Sequence, residues 1–281
     1  MIGWLADPFG DPIVRRAALE VVLLGVTGGL LGCWIVFYEL AYSAESLAHA
    51  LFPGLVGAAL LGVPIIVGGA AGIVVAALAV ALAGRVPGVG RDNATAVVVT
   101  TLFGTGALLA LSRATPPGLG ELLFGDVLGV SDGDLIAAAA LAVAVVAALT
   151  LLHRRLLAVA FDRSSARALG AAPALVDAAL LVLLAAAILV AVQGLGNLLV
   201  VSVLVGPAAT ARLLTERIAP MMAWSVALAI VAGIGGLLFS YHADTAAGAS
   251  IALATVVLWV AAQGVRMARR ARVVALPSGA R

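Results

Sequence analysis

A polar stretch within an apolar segment reads Tyr42-Ser-Ala-Glu45-Ser-Leu-Ala-His49-Ala-Leu-Phe-Pro53-Gly54. It places a carboxylate and an imidazole four residues apart in an apolar segment, so in a helix both side chains lie on one face. A charge at the centre of a bilayer costs about 2.5–3.5 kcal/mol on the insertion scale. Carboxylate oxygen with imidazole nitrogen is a ligand pair for Zn²⁺ or Mn²⁺. Glu45 and His49 are therefore a candidate metal site within a membrane helix.

The composition around this stretch is that of a membrane protein. The chain has 281 residues, of which 64% are hydrophobic and 11% charged, and its mean hydropathy is +1.20. A soluble domain of this length has no means of covering so much apolar surface. The single cysteine, Cys33, excludes a disulfide framework and a cysteine-based zinc site. The first apolar run lacks a small-residue cleavage site, so we expect a retained helix.

Nine apolar segments have the length of a membrane span, which needs about 20 residues. We therefore predict an all-α, polytopic helix bundle of about nine spans, with eight to ten compatible with the pattern. Two segments contain Pro53-Gly54 and Gly206-Pro207, which predict helices broken at membrane depth. The nine segments cover residues 17–38, 44–62, 64–83, 95–112, 134–152, 175–193, 196–213, 221–240 and 245–265.

The arginines predict the orientation of the bundle. All 16 basic residues are arginine, and nine spans place 13 of them on the side that holds the C-terminus. Since positive loops stay in the cytoplasm, we expect the N-terminus outside and the C-terminus inside. Residues 1–265 then form a single transmembrane domain, and residues 266–281 form a basic cytoplasmic tail near anionic lipid headgroups.

Two segments between the spans differ from ordinary loops. The outer segment 113–134 is acidic and would concentrate cations, and its residues 121–131 are apolar enough for a re-entrant or interfacial piece. In the inner segment, Asp162 is placed to cap a short helix that ends at Gly170, with Pro173 beyond. That short polar helix belongs at the membrane surface, where it would dock a cytoplasmic partner.

Four stretches, taken in order, resemble the permease subunits of bacterial zinc/manganese ABC importers. The resemblance extends from about residue 13 to 262 and includes a pattern of acid, serine, histidine, proline and glycine. The stretches are Ala44-Glu-Ser-Leu-Ala-His-Ala-Leu-Phe-Pro-Gly54, Glu121-Leu-Leu-Phe-Gly-Asp-Val-Leu-Gly-Val-Ser131, Phe161-Asp…Ala166-Arg-Ala-Leu-Gly170, and Val205-Gly-Pro-Ala-Ala-Thr-Ala-Arg-Leu-Leu214 with Asp244-Thr-Ala-Ala-Gly248.

The resemblance implies a multi-pass subunit of the bacterial cytoplasmic membrane that is not itself an enzyme. Two copies would form the pathway, a cytoplasmic ATPase dimer would drive it, and an extracytoplasmic binding protein would deliver zinc or manganese, possibly iron. The transported metal would be cargo, with no permanently bound cofactor, and no nucleic acid is expected as a partner. Since the chain has no lysine and no phosphate-binding loop, ATP must be handled by another chain.

The resemblance also assigns roles to single residues. Glu45 and His49 would contact the metal, and the coupling helix would engage the ATPase. The family usually has aspartate at the position of Glu45 and often a basic residue at that of Glu39, so both departures bear on metal preference. Further pathway candidates are Tyr42, Ser46, Glu39, Asp92 and Asp244. The coupling residues are Phe161, Asp162, Ala166, Arg167, Ala168, Leu169 and Gly170.

Each assignment has a simpler alternative. Glu45 and His49 could form a hydrogen bond that joins two helices, Asp92 and Asp244 could cap the helices that follow them, and Glu20 could pair with Arg15 or Arg16. Among whole functions, the alternatives are a permease for a metal chelate such as a siderophore or cobalamin, and a membrane scaffold that transports nothing. An intramembrane metalloenzyme would need a fuller ligand motif than the sequence contains.

Overall fold

The structure is a computed structural model that describes residues 7–87, 91–111, 125–168, 170–197 and 199–275, with residues 91, 92 and 270–275 described by their backbone alone. The described part is an α-helical bundle, as predicted, and begins with a single 3₁₀ turn at Asp7–Gly10. Its ten α-helices are α1 Pro12–Phe37, α2 Ala41–Leu61, α3 Ile65–Ala83, α4 Arg91–Ala110, α5 Asp132–Phe161, α6 Arg163–Ala168, α7 Pro173–Leu195, α8 Val200–Leu214, α9 Ile218–Ala243 and α10 Ala247–Ala275.

Eight of these helices are long and apolar enough to cross a membrane, and α8 is a shorter apolar helix of 15 residues. Each of the nine predicted segments corresponds to one of these helices. The difference lies at the seventh segment, predicted over 196–213, because Gly196, Asn197 and Leu199 precede α8 as non-helical backbone. The bundle is therefore eight long helices plus one half-length helix that follows a turn.

Side-chain contacts identify the two ends of the bundle. At one end, residues from the start of α1, the end of α9 and the segment before α5 line a shared cavity that includes Asp11, Asp126 and Asp244. At the other end, the Tyr38 hydroxyl donates to the carbonyl oxygen of Leu156 at 2.9 Å. We call these the Asp11 end and the Tyr38 end.

Proline does not break either of the two helices in which a break was predicted, and that prediction is wrong. Helix α2 runs through Pro53 and α8 runs through Pro207. A proline removes one backbone donor and crowds the preceding turn, but neighbouring helices in a membrane bundle can hold the helix together. Here Gly106 of α4 lies directly against Pro53, so close that an added Cβ would stand 2.9 Å from the proline Cα.

Helices α2 and α3 approach each other through glycine. A Cβ at Gly54 would overlap the carbonyl oxygen of Gly68 and stand 2.8 Å from the Cα of Gly72. Small residues at such positions allow the backbones of membrane helices to come close together. We therefore expect Gly54→Val to separate the two helices and lower the midpoint of thermal unfolding in detergent, whereas Gly57→Val is tolerated because nothing lies within 4 Å of its added Cβ.

The short helix predicted between Asp162 and Gly170 is present. Helix α6 follows Asp162, whose carboxylate accepts from the Ser164 backbone N–H at 2.8 Å. Gly170 adopts a left-handed conformation with φ of +80°, and Pro173 opens α7. Of the predicted re-entrant piece 121–131, residues 121–124 lie outside the described residues, and the structure describes 125–131 as non-helical backbone.

Candidate metal site

Glu45 and His49 lie on the same face of α2, as their spacing predicts. His49 Nε2 stands 3.9 Å from Glu45 Oε1, and 59% of the Glu45 side chain and 25% of the His49 side chain are exposed. This distance is too long for a hydrogen bond. One ion with bonds of about 2.0–2.2 Å to nitrogen and oxygen could span it.

A third polar residue, Asn197, completes the surroundings of His49. The Asn197 amide nitrogen donates to the Ala48 carbonyl oxygen, which leaves the amide oxygen as the group that faces His49 Nδ1 at 3.2 Å. Because that oxygen can only accept, Nδ1 must carry the hydrogen. In the neutral imidazole the lone pair is then on Nε2, which faces Glu45, and this is the tautomer that a metal ligand needs.

Asn197 reaches His49 because the backbone turns inside the bundle. Residues 194–197 are buried, and they connect α7 to the short helix α8. Non-helical backbone at membrane depth is tolerated only where protein buries it or where it lines a cavity. We call the end of α7 together with the two residues that follow it, residues 193–197, the α7–α8 turn. From the sequence, this stretch was interpreted as an ordinary break between spans, and Asn197 was not predicted as a site residue. The signal that could have identified it is a side-chain amide next to glycine in an apolar segment.

Aromatic rings cover the other side of His49. The ring of Phe103 on α4 lies 4.5 Å from the His49 ring, centroid to centroid, and Phe52 lies 5.5 Å from Phe103. This wall excludes water from one face of the imidazole and fixes its orientation. The exposed side of Glu45 remains the open approach to the pair.

Tyr42 and Ser46, predicted as pathway residues, line a different surface. They border a cavity of about 480 Å³ between α2, α3 and α4. Thr95 and Val99 face them from α4, and neither Glu45 nor His49 is among the described lining residues. The structure therefore separates Tyr42 and Ser46 from the Glu45–His49 pair.

Two other pathway candidates, Glu39 and Asp92, lie at helix ends. Glu39 adopts a left-handed conformation with φ of +57° between α1 and α2, so it terminates the first helix. Asp92 lies within the first turn of α4 and not before it, so the predicted N-cap position is wrong; its side chain is outside the described part.

Asp244 is also placed differently from its predicted capping role. It is the C-cap of α9, in a left-handed conformation with φ of +49°, and α10 begins only at Ala247. Its position is set by the preceding helix, because its N–H bonds back to the Ser240 carbonyl. With Asp11 and Asp126 it lines a cavity of about 890 Å³ at the Asp11 end.

The described residues do not gather a complete metal cage. No group of three or more histidine, cysteine, aspartate or glutamate side chains in that part of the chain is arranged to hold an ion. Glu45 and His49 therefore supply two donors, and the site is open. An open site releases an ion more readily than a closed four-ligand site, which suits passage rather than storage.

The residues predicted to engage the ATPase lie at the Tyr38 end and make local hydrogen bonds. Hydrogen bonds from Ser164 and Ser165 hold the pKa of Asp162 well below its usual value, so this cap is lost only in strong acid. Arg163 pairs with Asp177 of α7, and this contact raises the pKa of Arg163. Ala166 is buried in the bundle core, whereas Phe161 is 97% exposed. Leu169 lies outside the described residues.

The chain resembles known proteins over nearly its whole length. A family model described as the ABC 3 transport family matches residues 10–266. The chain is 32% identical over 250 residues to the manganese transport system membrane protein MntC of Halalkalibacterium halodurans, covering 89% of this chain and 86% of that protein. It is 30% identical over 262 residues to a protein of Haemophilus influenzae named "Probable iron transport system membrane protein", covering 93% and 97%.

The fold is similar to that of a solved transporter. PsaBC from Streptococcus pneumoniae, determined in complex with Fab, superposes with a TM-score of 0.86 at 25% sequence identity. The match covers 93% of this chain and 95% of that one. Sequence and structure comparisons therefore agree.

Proposed function

Since this chain belongs to the ABC 3 transport family and is a membrane permease subunit of a metal-ion ABC importer, we propose that a divalent ion crosses the bilayer past Glu45 and His49. The observation that carries this proposal is the free Nε2 of His49, held toward Glu45 Oε1 at 3.9 Å by the contact of Asn197 with Nδ1. Imidazole with carboxylate suits Mn²⁺, Fe²⁺ and Zn²⁺. Relatives named for manganese and iron transport favour the first two.

The alternative of a hydrogen bond that joins parts of the bundle applies to one nitrogen of His49. Nδ1 faces the Asn197 amide oxygen at 3.2 Å, and Asn197 also donates to the Ala48 carbonyl oxygen. Nε2 is not used in that contact and stands 3.9 Å from Glu45 Oε1, which is beyond hydrogen-bond distance. Nε2 and the Glu45 carboxylate are therefore the two groups that we propose for the ion.

No third histidine, cysteine, aspartate or glutamate among the described residues completes the site, so we propose that the remaining ligands come from outside this copy of the chain. The more exposed side chain of the pair, Glu45, marks the side from which a second permease copy or water molecules would complete the coordination. The ATPase dimer would dock at the Tyr38 end against α6, and the metal-binding protein at the opposite end. The acidic cavity of Asp11, Asp126 and Asp244 would attract cations there.

The orientation follows from the same two ends. Described arginines at the Tyr38 end include Arg85, Arg154, Arg163 and Arg212, whereas Arg15 and Arg16 lie near the Asp11 end. The positive-inside rule then places the Tyr38 end in the cytoplasm, with the N-terminus outside and the C-terminus inside. A permease for a chelate would require a wide polar lumen in place of a single ligand pair, and no feature of the site favours it.

The test of this proposal is ATP-dependent uptake of radioactive manganese and zinc. The full chain is reconstituted in proteoliposomes with its ATPase and binding-protein partners, and the two metals are compared in parallel. Uptake of neither metal would refute the proposal. Its decisive variant, His49→Ala, is treated in the Discussion.

Asn197→Ala should weaken metal binding without emptying the site. Loss of the amide removes the group that fixes the His49 tautomer, and such outer-shell changes reduce metal affinity by about 10–100-fold. Titration of Mn²⁺ followed by electron paramagnetic resonance on the purified chain measures the effect. Ser202→Ala is the control, because its hydroxyl bonds to the Leu199 carbonyl near the same turn and has no contact with His49 among its described bonds. Equal affinities of wild type and Asn197→Ala would remove Asn197 from the site.

A further inference from the structure

Glu20 is a buried carboxyl group within the spanning helix α1 that the proposed pathway does not use. It is 1% exposed, and its Oε2 atom has no hydrogen-bond partner among the described residues. The predicted partner Arg16 instead pairs with Asp132 at 3.0 Å, and none of the ion pairs in the described part includes Glu20. An ionisable side chain kept inside a membrane at such cost is a functional candidate by default.

The Glu20 carboxyl group packs directly on the α7–α8 turn. Both of its oxygens stand 2.8 Å from the position that a Cβ would occupy on Gly194. Only a glycine lets the helix come this close to the carboxyl group without a clash. Gly194 is three residues before Asn197, the residue that contacts His49.

A second contact holds the same turn from the Asp11 end. The Asp126 N–H donates to the Gln193 carbonyl oxygen at 3.3 Å. Gly125, with φ of +78°, lies against Gly194 and Gly196 so closely that a side chain at that position would overlap their backbone. The turn is thus held between Glu20, the segment at Gly125, and the bond from Asn197 to Ala48.

We propose that Glu20 is a positioning residue for the metal site. Its carboxyl group fixes how closely the α7–α8 turn approaches α1. The position of the turn then holds the Asn197 side chain against His49. The expected effect of Glu20 on metal affinity rests on the proposed function. The expected effect of Glu20 on the position of the turn does not. Because no cation pairs with Glu20 in the described structure, the shape of the carboxyl group carries the effect and its charge does not.

Two single variants separate shape from charge. Glu20→Ala leaves a space under Gly194, so the turn shifts and Mn²⁺ affinity falls about tenfold, as expected for loss of an outer-shell support. Glu20→Gln keeps the shape and stays within about twofold of wild type, since isosteric replacements are well tolerated in packed interiors. If Glu20→Gln behaves like Glu20→Ala, the charge carries the effect and the shape proposal is overturned.

A compensating pair tests the contact itself. Gly194→Ala alone pushes a methyl group against the carboxyl oxygens and should also weaken Mn²⁺ binding. In Glu20→Ala/Gly194→Ala the methyl group fills part of the vacated space, so the double variant should bind more tightly than Glu20→Ala. Residues in contact show such non-additivity, whereas independent sites add. If the loss of Mn²⁺ affinity in the double variant equals the sum of the losses in Glu20→Ala and Gly194→Ala, the contact is refuted.

Two measurements on the full chain in lipid nanodiscs are needed. Hydrogen–deuterium exchange of a peptide covering 193–203 reports on the turn without any metal, and electron paramagnetic resonance reports on Mn²⁺. Glu20→Ala should accelerate exchange in that peptide, and unchanged exchange overturns the inference. Wild type that fails to bind Mn²⁺ would count against the proposed function, while the exchange result still decides the role of Glu20. Ser225→Ala, which removes a buried hydroxyl group of α9 beside Cys33, is the control that should change neither.

Discussion

His49→Ala should reduce ATP-dependent metal uptake to the background of empty proteoliposomes while the assembled complex still reaches the membrane. The imidazole supplies one of only two donors that the described part of this chain brings to the site, and its Nε2 faces Glu45 at 3.9 Å. Its removal leaves a lone carboxylate, which binds transition metals poorly in water. Initial rates of manganese and zinc uptake measure the effect, and the metal whose uptake disappears is the substrate.

Glu45 offers the matched test of the second donor. Glu45→Gln keeps the size of the side chain and removes its charge, so uptake should be lost. Glu45→Asp restores the acid that the resembling family usually carries, so uptake should persist with an altered metal preference. His153→Ala is the control, because His153 packs edge-on against Trp34 at 5.7 Å near the Tyr38 end. Uptake by His49→Ala at the wild-type rate would show that the pair is structural.

Phe161→Ala should uncouple the permease from its ATPase. Helix α5 has 30 residues and is therefore about 45 Å long at 1.5 Å per residue, whereas the hydrocarbon core is about 30 Å thick. We expect its last turns to project beyond the lipid because they carry Arg154 and Arg155, and there Phe161 is 97% exposed beside α6. A large aromatic side chain left exposed outside the lipid is typical of an interface anchor.

The loss of ATPase binding should be large, and metal binding should not change. Truncation of an aromatic anchor costs about 2 kcal/mol or more, which is about 30-fold in affinity. Co-purification of the ATPase with the permease measures it, and Mn²⁺ binding by the purified chain should stay at the wild-type level. Phe239→Ala is the control, since Phe239 is half exposed on the membrane-spanning helix α9. Normal ATPase co-purification by Phe161→Ala would remove α6 and its flank from the coupling surface.

Features set by neighbouring residues could be predicted from the sequence. The class of the protein follows from its apolar content, and the approximate spans follow from segment length against bilayer thickness. Glu45 and His49 share a face because an α-helix repeats every 3.6 residues. The cap at Asp162 and the end of α6 at Gly170 are likewise local, since the groups involved lie within a few positions of one another.

Features that depend on packing between distant parts of the chain were predicted wrongly from the sequence or were not predicted at all. Pro53 was expected to break α2, but the contact with Gly106 of α4 supports a continuous helix. Asp244 was expected to cap α10 and instead ends α9. Tyr42 and Ser46 are close to Glu45 in sequence, yet they face a separate cavity.

Hydropathy and helical periodicity act over a few turns of the chain, so they are enough to predict a helical membrane protein with an acid–imidazole pair on one helix face. The arrangement of that pair as a site depends on contacts in the packed bundle. Asn197 meets His49 across 148 positions of sequence, and Glu20 meets Gly194 across a helix interface. Such contacts depend on how close the backbones approach and where a buried turn lies in the bundle. These are properties of the packed helices and not of any single segment.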